Sequence, residues 1–197
     1  MTAELVLDQD ADLMVRVRAG DAESFALLLH RHRTSVVNHL YRTVHNRAIA
    51  EELAQDVFVR VYRSRERYEP SAKFTTWLFR ITTNVALNWR RDTRRQSAEM
   101  GIEDLSTAAR KFEFRDGKLP MDETMIREHK AQQVRAAINS LPGKQLAAVL
   151  MHKYEGMDYS QIADVLNCTV PALKSLLFRA YEHLRRELAH LDPFGAE

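Results

Sequence analysis

The chain has 197 residues but only one cysteine, six glycines and five prolines. A single cysteine excludes an intramolecular disulfide and a CxxC metal site, and leaves Cys168 as a small turn residue. So few chain breakers are too few for an architecture of strands and turns, so a mainly helical chain is expected. No apolar run is long enough to span a membrane and no signal sequence opens the chain. A cytoplasmic protein without direct membrane insertion is therefore expected. An excess of one charge is also missing: 29 Lys and Arg stand against 27 Asp and Glu, a net of +2. Nucleic-acid binding cannot rest on that total and must rest on where the charge lies. No catalytic triad, phosphate-cradling glycine loop or metal constellation is visible, so no enzyme activity, cofactor or small-molecule substrate is expected. His30, His32, His39 and His45 are scattered without a well-placed third ligand, which argues against a metal site.

What the chain does have is concentrated in its last third. Helical periodicity predicts segments at about Gly143 to Glu155, Ser160 to Leu166 and Val170 to Ala189. Asn167, Cys168 and Thr169 form the turn between the last two, with Thr169 as N-cap and Pro171 in the first turn. Two helices joined so tightly form a helix-turn-helix pattern. Leu173, Leu177, Ala180, Leu184 and Leu188 make an apolar stripe on the final helix. Lys174, Ser175, Phe178 and Arg179 fall away from it, in the half of a recognition helix that reaches base edges. Arg185 and Arg186 suit phosphates.

Earlier in the chain, residues 10 to 45 read as two helices, with Asp21 capping the second. Residues 47 to 63 form a third. Its polar side carries Glu52, Gln55 and Asp56 around Val59, which is either a docking face or ordinary solvated surface. From Arg60 to Arg95 the charge changes, with ten basic residues against three acidic ones and aromatics interleaved. Thr75 or Thr76 can cap a helix running to about Arg95. Arg80, Asn84, Asn88, Arg91 and Arg95 share one face of it. Trp77 lies in the same arc, where it either meets nucleic acid or plugs the core. Residues 97 to 130 read as an acidic linker, with a helix resuming near Asp122.

Together these motifs resemble a sigma factor of the sigma-70 family, in its extracytoplasmic-function group. AEELAQDVFVRVYR (Ala50 to Arg63) resembles the polymerase-binding motif, and KFTTWLFRITTNVALNWRRDTRR (Lys73 to Arg95) resembles the minus-ten helix. LPGKQ, YSQIADVLNC and ALKSLLFRAYEHLRREL, within Leu141 to Leu188, resemble the fourth conserved region. The resemblance implies an all-α chain of two small domains: sigma region 2 over 10–96, a flexible linker over 97–130 and sigma region 4 over 131–190. It implies that Glu52, Gln55, Asp56, Phe58 and Val59 dock on the coiled coil of the largest subunit of core RNA polymerase. Tyr68, Lys73, Phe74, Trp77, Arg80, Asn84, Asn88 and Arg91 would open the minus-ten element of promoter DNA. Pro171, Lys174, Ser175, Phe178 and Arg179 would read the minus-thirty-five element, with this domain also touching the polymerase flap. An anti-sigma factor is an implied partner. Leu146, Leu176 and Tyr181 stand where the family usually has arginine, which predicts either a weaker or differently specified minus-thirty-five contact or leucines that serve a partner helix. The competing reading is a helix-turn-helix regulator that binds an operator by itself as a dimer.

Overall fold

The computed structural model describes residues 8–99 and 121–191. Among the described residues every regular element is a helix. α1 (Gln9–Arg18), α2 (Ala22–Val44), α3 (Arg47–Arg63) and α4 (Phe74–Glu99) form an N-terminal bundle. α5 (Met121–Ser140), α6 (Gly143–Tyr154), α7 (Tyr159–Leu166) and α8 (Val170–Leu188) form a C-terminal one. The expected linker over 97–130 is thus helical at both ends, and residues 100–120 lie outside the described residues.

Local chemistry sets the helix starts. Asp21 accepts from the Glu23 and Ser24 N–H groups at 2.9 and 3.1 Å and opens α2. The Ser24 hydroxyl and these amides hold its carboxyl below the usual range. Asp158 and Gln161 exchange reciprocal bonds of 2.9 Å at the start of α7. Thr169 accepts from Ala172 N–H at 3.3 Å to open α8.

α4 starts differently from the expectation. Neither Thr75 nor Thr76 caps it: the helix begins at Phe74, whose N–H donates to Asp8 Oδ2 at 2.6 Å. Asp8 Oδ1 also accepts from Asp10 N–H at 3.1 Å, so one carboxylate opens both α1 and α4. Thr76 is buried instead.

Met14, Val17, Leu28, Val36, Leu40, Val57, Val61 and Leu78 fill the first core. Burying each such side chain contributes roughly 1.5–3 kcal/mol. On α1 the core face is Ala11, Met14 and Val17, while Leu13 and Val15 are only half-buried. Leu141, Leu146, Leu150, Met151, Ile162, Leu173 and Leu177 fill the second core. The bundles touch along α4, whose Phe79 is buried in the second core, and along α2.

Candidate functional site

Three surfaces stand out. The first is an open groove of about 370 Å³ between α2 and α3. Phe25 and Leu29 reach it from α2, and Ala54, Phe58, Val59 and Tyr62 from α3. The Phe25 and Tyr62 rings meet at 5.1 Å, and the Arg65 guanidinium covers Tyr62 at 4.3 Å from its centroid. Arg33, Glu51, Gln55 and Arg63 supply polar groups to its lining. An apolar trough with charged edges suits the apolar face of an amphipathic helix. Val59 is 44% exposed, so its isopropyl group is available to a partner. Phe58 is only 6% exposed and forms floor rather than contact surface. Glu52 and Asp56 lie outside the lining, and Asp56 is paired with Arg60 at 2.9 Å. The sequence reading missed Phe25 and Leu29, because apolar residues four apart on α2 look like core.

The second surface is on α4. Lys73, Arg80, Asn84, Asn88 and Arg91 are all exposed. Trp77 is half-buried, its ring 5.0 Å from Tyr68 and 5.9 Å from Phe74. Tyr68 and Phe74 need correction as DNA contacts: they are 1% and 0% exposed and belong to the core. The segment before α4 folds inward because Asp8 holds the Phe74 N–H and Arg18 Nη1 donates to the Tyr68 carbonyl at 3.2 Å. Burial, followed by the Asp8, Asp10 and Asp12 carboxylates, pushes the Tyr68 phenol up to about 12, so it stays neutral. The two rings therefore back Trp77 and do not offer faces of their own.

The third surface is the N-terminal half of α8. Pro171, Lys174, Ser175, Phe178 and Arg179 are all exposed, Phe178 by 67%. A phenylalanine left so open on an otherwise well-packed helix offers an apolar contact of the kind a thymine methyl accepts. The Lys174 ammonium lies 6.0 Å from the Tyr159 ring centroid. Ser175 Oγ donates back to the Pro171 carbonyl at 3.1 Å, and its lone pairs remain available.

Two of the three positions without arginine have turned inward. Leu146 is 1% exposed and lies in the core, so no phosphate contact is possible there. The Tyr181 hydroxyl pairs with His152 Nδ1 at 3.0 Å, and burial pushes its phenol up. Leu176, within α8, is half-buried.

Two helical modules, one ending in a helix-turn-helix and the other carrying a basic, aromatic-backed helix beside an apolar groove, define a DNA-reading protein with a docking surface for another protein. Residues 28–96 match the model for sigma-70 region 2, and residues 131–184 match that for sigma-70 region 4. The ECF RNA polymerase sigma-E factor of Haemophilus influenzae is 31% identical over 191 residues, spanning 96% of this chain and 99% of that one. In fold, the chain is similar to CnrH solved in complex with the cytosolic domain of CnrY. That match has a TM-score of 0.67 at 21% identity and covers 93% of this chain and 99% of the other. It is also similar to the sigma factor RpoE of Bartonella quintana in complex with the anti-sigma factor NepR. Here the TM-score is 0.59 at 19% identity, covering 85% of this chain and 98% of the other. The chain belongs to the sigma-70 family of RNA polymerase sigma factors, in the extracytoplasmic-function group.

Proposed function

We propose that the chain seats a helix of the largest polymerase subunit's coiled coil in the α2/α3 groove. It then opens the minus-ten element with the exposed face of α4 and reads the minus-thirty-five element with α8. The observation that carries this reading is the groove itself, which shares no residue with either polar face. The match to both sigma-70 regions, together with this groove, leaves the dimeric helix-turn-helix alternative not favoured.

Each step has a physical basis. Opening duplex at the minus-ten element means unstacking a base, at a cost of a few kcal/mol. Trp77, braced by Tyr68 and Phe74, is a rigid platform on which an unstacked base can lie, and Arg80 and Arg91 meet its backbone. Asn84 and Asn88 supply amides for base edges. On α8, Lys174 and Arg179 supply donors for guanine or phosphate, Ser175 a hydroxyl and Phe178 an apolar surface. Holding both halves on one polymerase converts two weak contacts into one tight assembly. The chain contributes recognition, and the polymerase supplies the chemistry.

An anti-sigma factor is the further partner this reading implies, covering the groove or a DNA-reading face. The Bartonella quintana sigma factor solved with NepR supports it. The chain would work in the cytoplasm with the polymerase, and no described helix is long and apolar enough to cross a membrane.

A pull-down with core polymerase, followed by run-off transcription from a candidate promoter, tests the proposal. Association and a promoter-dependent transcript are expected. Failure to associate with core in the absence of any inhibitor, together with tight dimeric binding to duplex DNA, would transfer the assignment to the regulator.

A further inference from the structure

The sigma-70 region 2 match covers residues 28–96, so α1 lies outside it. The structure nevertheless ties α1 to the segment that leads into α4. That segment holds itself by short-range bonds only. Arg67 N–H donates to the Ser64 carbonyl at 3.0 Å, Tyr68 N–H to that of Arg65 at 3.2 Å and Ser71 N–H to that of Glu69 at 2.8 Å. Among the described residues, two hydrogen bonds join residues 66–74 to a distant part of the chain, and both come from α1 and its cap. Arg18 Nη1, at the end of α1, donates to the Tyr68 carbonyl at 3.2 Å. Asp8, the N-cap of α1, accepts from Phe74 N–H at 2.6 Å. Residues 69–73 are thus bracketed, and the two bracketing residues carry the rings that back Trp77.

α1 can grip the segment because it is itself fixed. Ala11, Met14 and Val17 are buried in the first core. Asp10 Oδ1 lies 2.7 Å from Arg31 Nη1, and its Oδ2 lies 2.7 Å from His32 Nε2, both on α2. The Asp10 side chain is 17% exposed, so salt screens these pairs less than it would on open surface. The His32 ring meets Phe74 at 5.3 Å, so α2 supports the same ring from behind.

We infer that α1 is a splint that orders Trp77 for promoter opening, with Arg18 as its positioning residue. Arg18 holds the Tyr68 carbonyl, and the Tyr68 ring, 5.0 Å from Trp77, then stays behind the indole. This role rests on the reading of α4 as the minus-ten face. A platform ordered in advance avoids an entropy cost at the moment a base unstacks onto it. Arg18 is exposed, so a direct phosphate contact is the competing role, and the two differ in their salt dependence.

The test uses the full chain with core polymerase and a minus-ten element carrying 2-aminopurine. Arg18→Ala should slow opening about three- to tenfold, the worth of one part-exposed hydrogen bond. Arg18→Lys, which keeps a donor, should recover most of the rate. The salt slope of promoter binding should be the same in Arg18→Ala as in the parent, whereas loss of a phosphate contact would lower it by about 1. In a Trp77→Leu background Arg18→Ala should cost little more, since both changes act on one platform. Amide hydrogen exchange in the free chain reads the splint without polymerase. Residues 69–73 should exchange faster in Arg18→Ala, while α3 keeps the parent rate and shows that the bundle stays folded. An unaltered opening rate, a lowered salt slope or full additivity with Trp77→Leu overturns the positioning role. Unaltered exchange at residues 69–73 overturns the splint itself. Faster exchange in Arg18→Ala, beside a parent chain that never opens a promoter, keeps the hold on the segment but overturns the minus-ten reading and with it the splint's role there.

Discussion

Asp8→Ala is the change whose consequence is best fixed by the structure. One carboxylate caps α1 through Asp10 N–H at 3.1 Å and accepts the first N–H of α4 at 2.6 Å. Losing the α1 cap costs about 1 kcal/mol. Losing the charge-assisted bond to Phe74 costs about 1.5–3 kcal/mol, because a hydrogen bond to an ionised group is stronger than a neutral one. Phe74 is fully buried, so its N–H has no ready replacement from water. The two losses share one residue and overlap, giving a total of about 2–4 kcal/mol.

Trp77 and Trp89 both sit on α4, so their fluorescence during urea unfolding reports the element that matters. With a slope of about 2 kcal/mol per molar, the midpoint should fall by about 1–2 M. Asp8→Asn keeps an acceptor but no charge and should fall between the two. Because Lys73, Phe74 and Trp77 enter α4 at the Asp8 contact, Asp8→Ala should also slow opening of a minus-ten element carrying 2-aminopurine. Binding of duplex minus-thirty-five DNA should be unchanged. A midpoint within about 0.25 M of the parent, equal to about 0.5 kcal/mol, would refute the reasoning.

Val59→Glu places a charge in the apolar groove at an exposed site, so the fold should be unaffected while affinity for core polymerase drops about tenfold or more, read by competition binding. Unaltered affinity would remove α3 from the docking surface. Phe178→Ala should change stability by less than about 0.5 kcal/mol, since the ring is 67% exposed, yet weaken minus-thirty-five binding. Lys174→Ala should lower the salt slope of that binding by about 1. Leu176→Arg should raise the slope if the missing arginine was a phosphate contact, and an unchanged affinity and slope would count against that role. His45 is held below its ordinary pKa of 6.5, chiefly by burial, with Arg135 of α5 and Arg90 of α4 adding to the effect and the bond to Asn139 opposing it. Its contribution to the packed state is therefore present above about 6.5 and fades as pH falls through the lower folded value. An NMR titration should find its midpoint below 6.5 in the parent and closer to 6.5 in Gly143→Leu, whose Cβ would sit 2.8 Å from Leu87 Cδ2 across the module contact; identical midpoints would argue against burial at the module contact as the cause.

The C-terminal module was legible in the sequence because its signals are local. Thr169, Pro171 and the leucine stripe of α8 act within a turn or two of where they stand, and the structure puts the α7–α8 turn at the expected residues. The start of α4 was not legible, because its cap comes from Asp8, sixty-six residues upstream. Tyr68 and Phe74 were misread because an aromatic beside basic residues fits a DNA-facing loop as well as a bundle core. Only the Asp8 and Arg18 contacts, distant in sequence, decide between the two. α5 gave little periodicity for a related reason: Ile138 and the following Leu141 meet the core, while most of residues 127–136 are exposed. The groove was half visible. Val59 stood out as an apolar residue among polar ones, whereas Phe25 and Leu29 had the spacing of ordinary core.

α4 brings these results together, because one helix serves three neighbours. Leu78, Val85 and Ala86 anchor it in the first core. Arg80, Asn84, Asn88 and Arg91 face outward. Phe79, Thr83, Leu87 and Arg90 meet the C-terminal module. A wholly apolar third face would lock the modules together, since separating them would expose it all to water. This face instead mixes Phe79 and Leu87 with Arg90 and Thr83, and the facing side of α2 adds His39, Arg42 and His45. Water can re-satisfy those polar groups on separation, so the opening penalty falls mainly on the few apolar side chains. Replacing Arg90 with methionine leaves the Asn139 and Leu141 carbonyls without their donor and should loosen the contact between the modules. Faster amide hydrogen exchange in α6 of the variant is the expected result, and an unchanged rate would refute it.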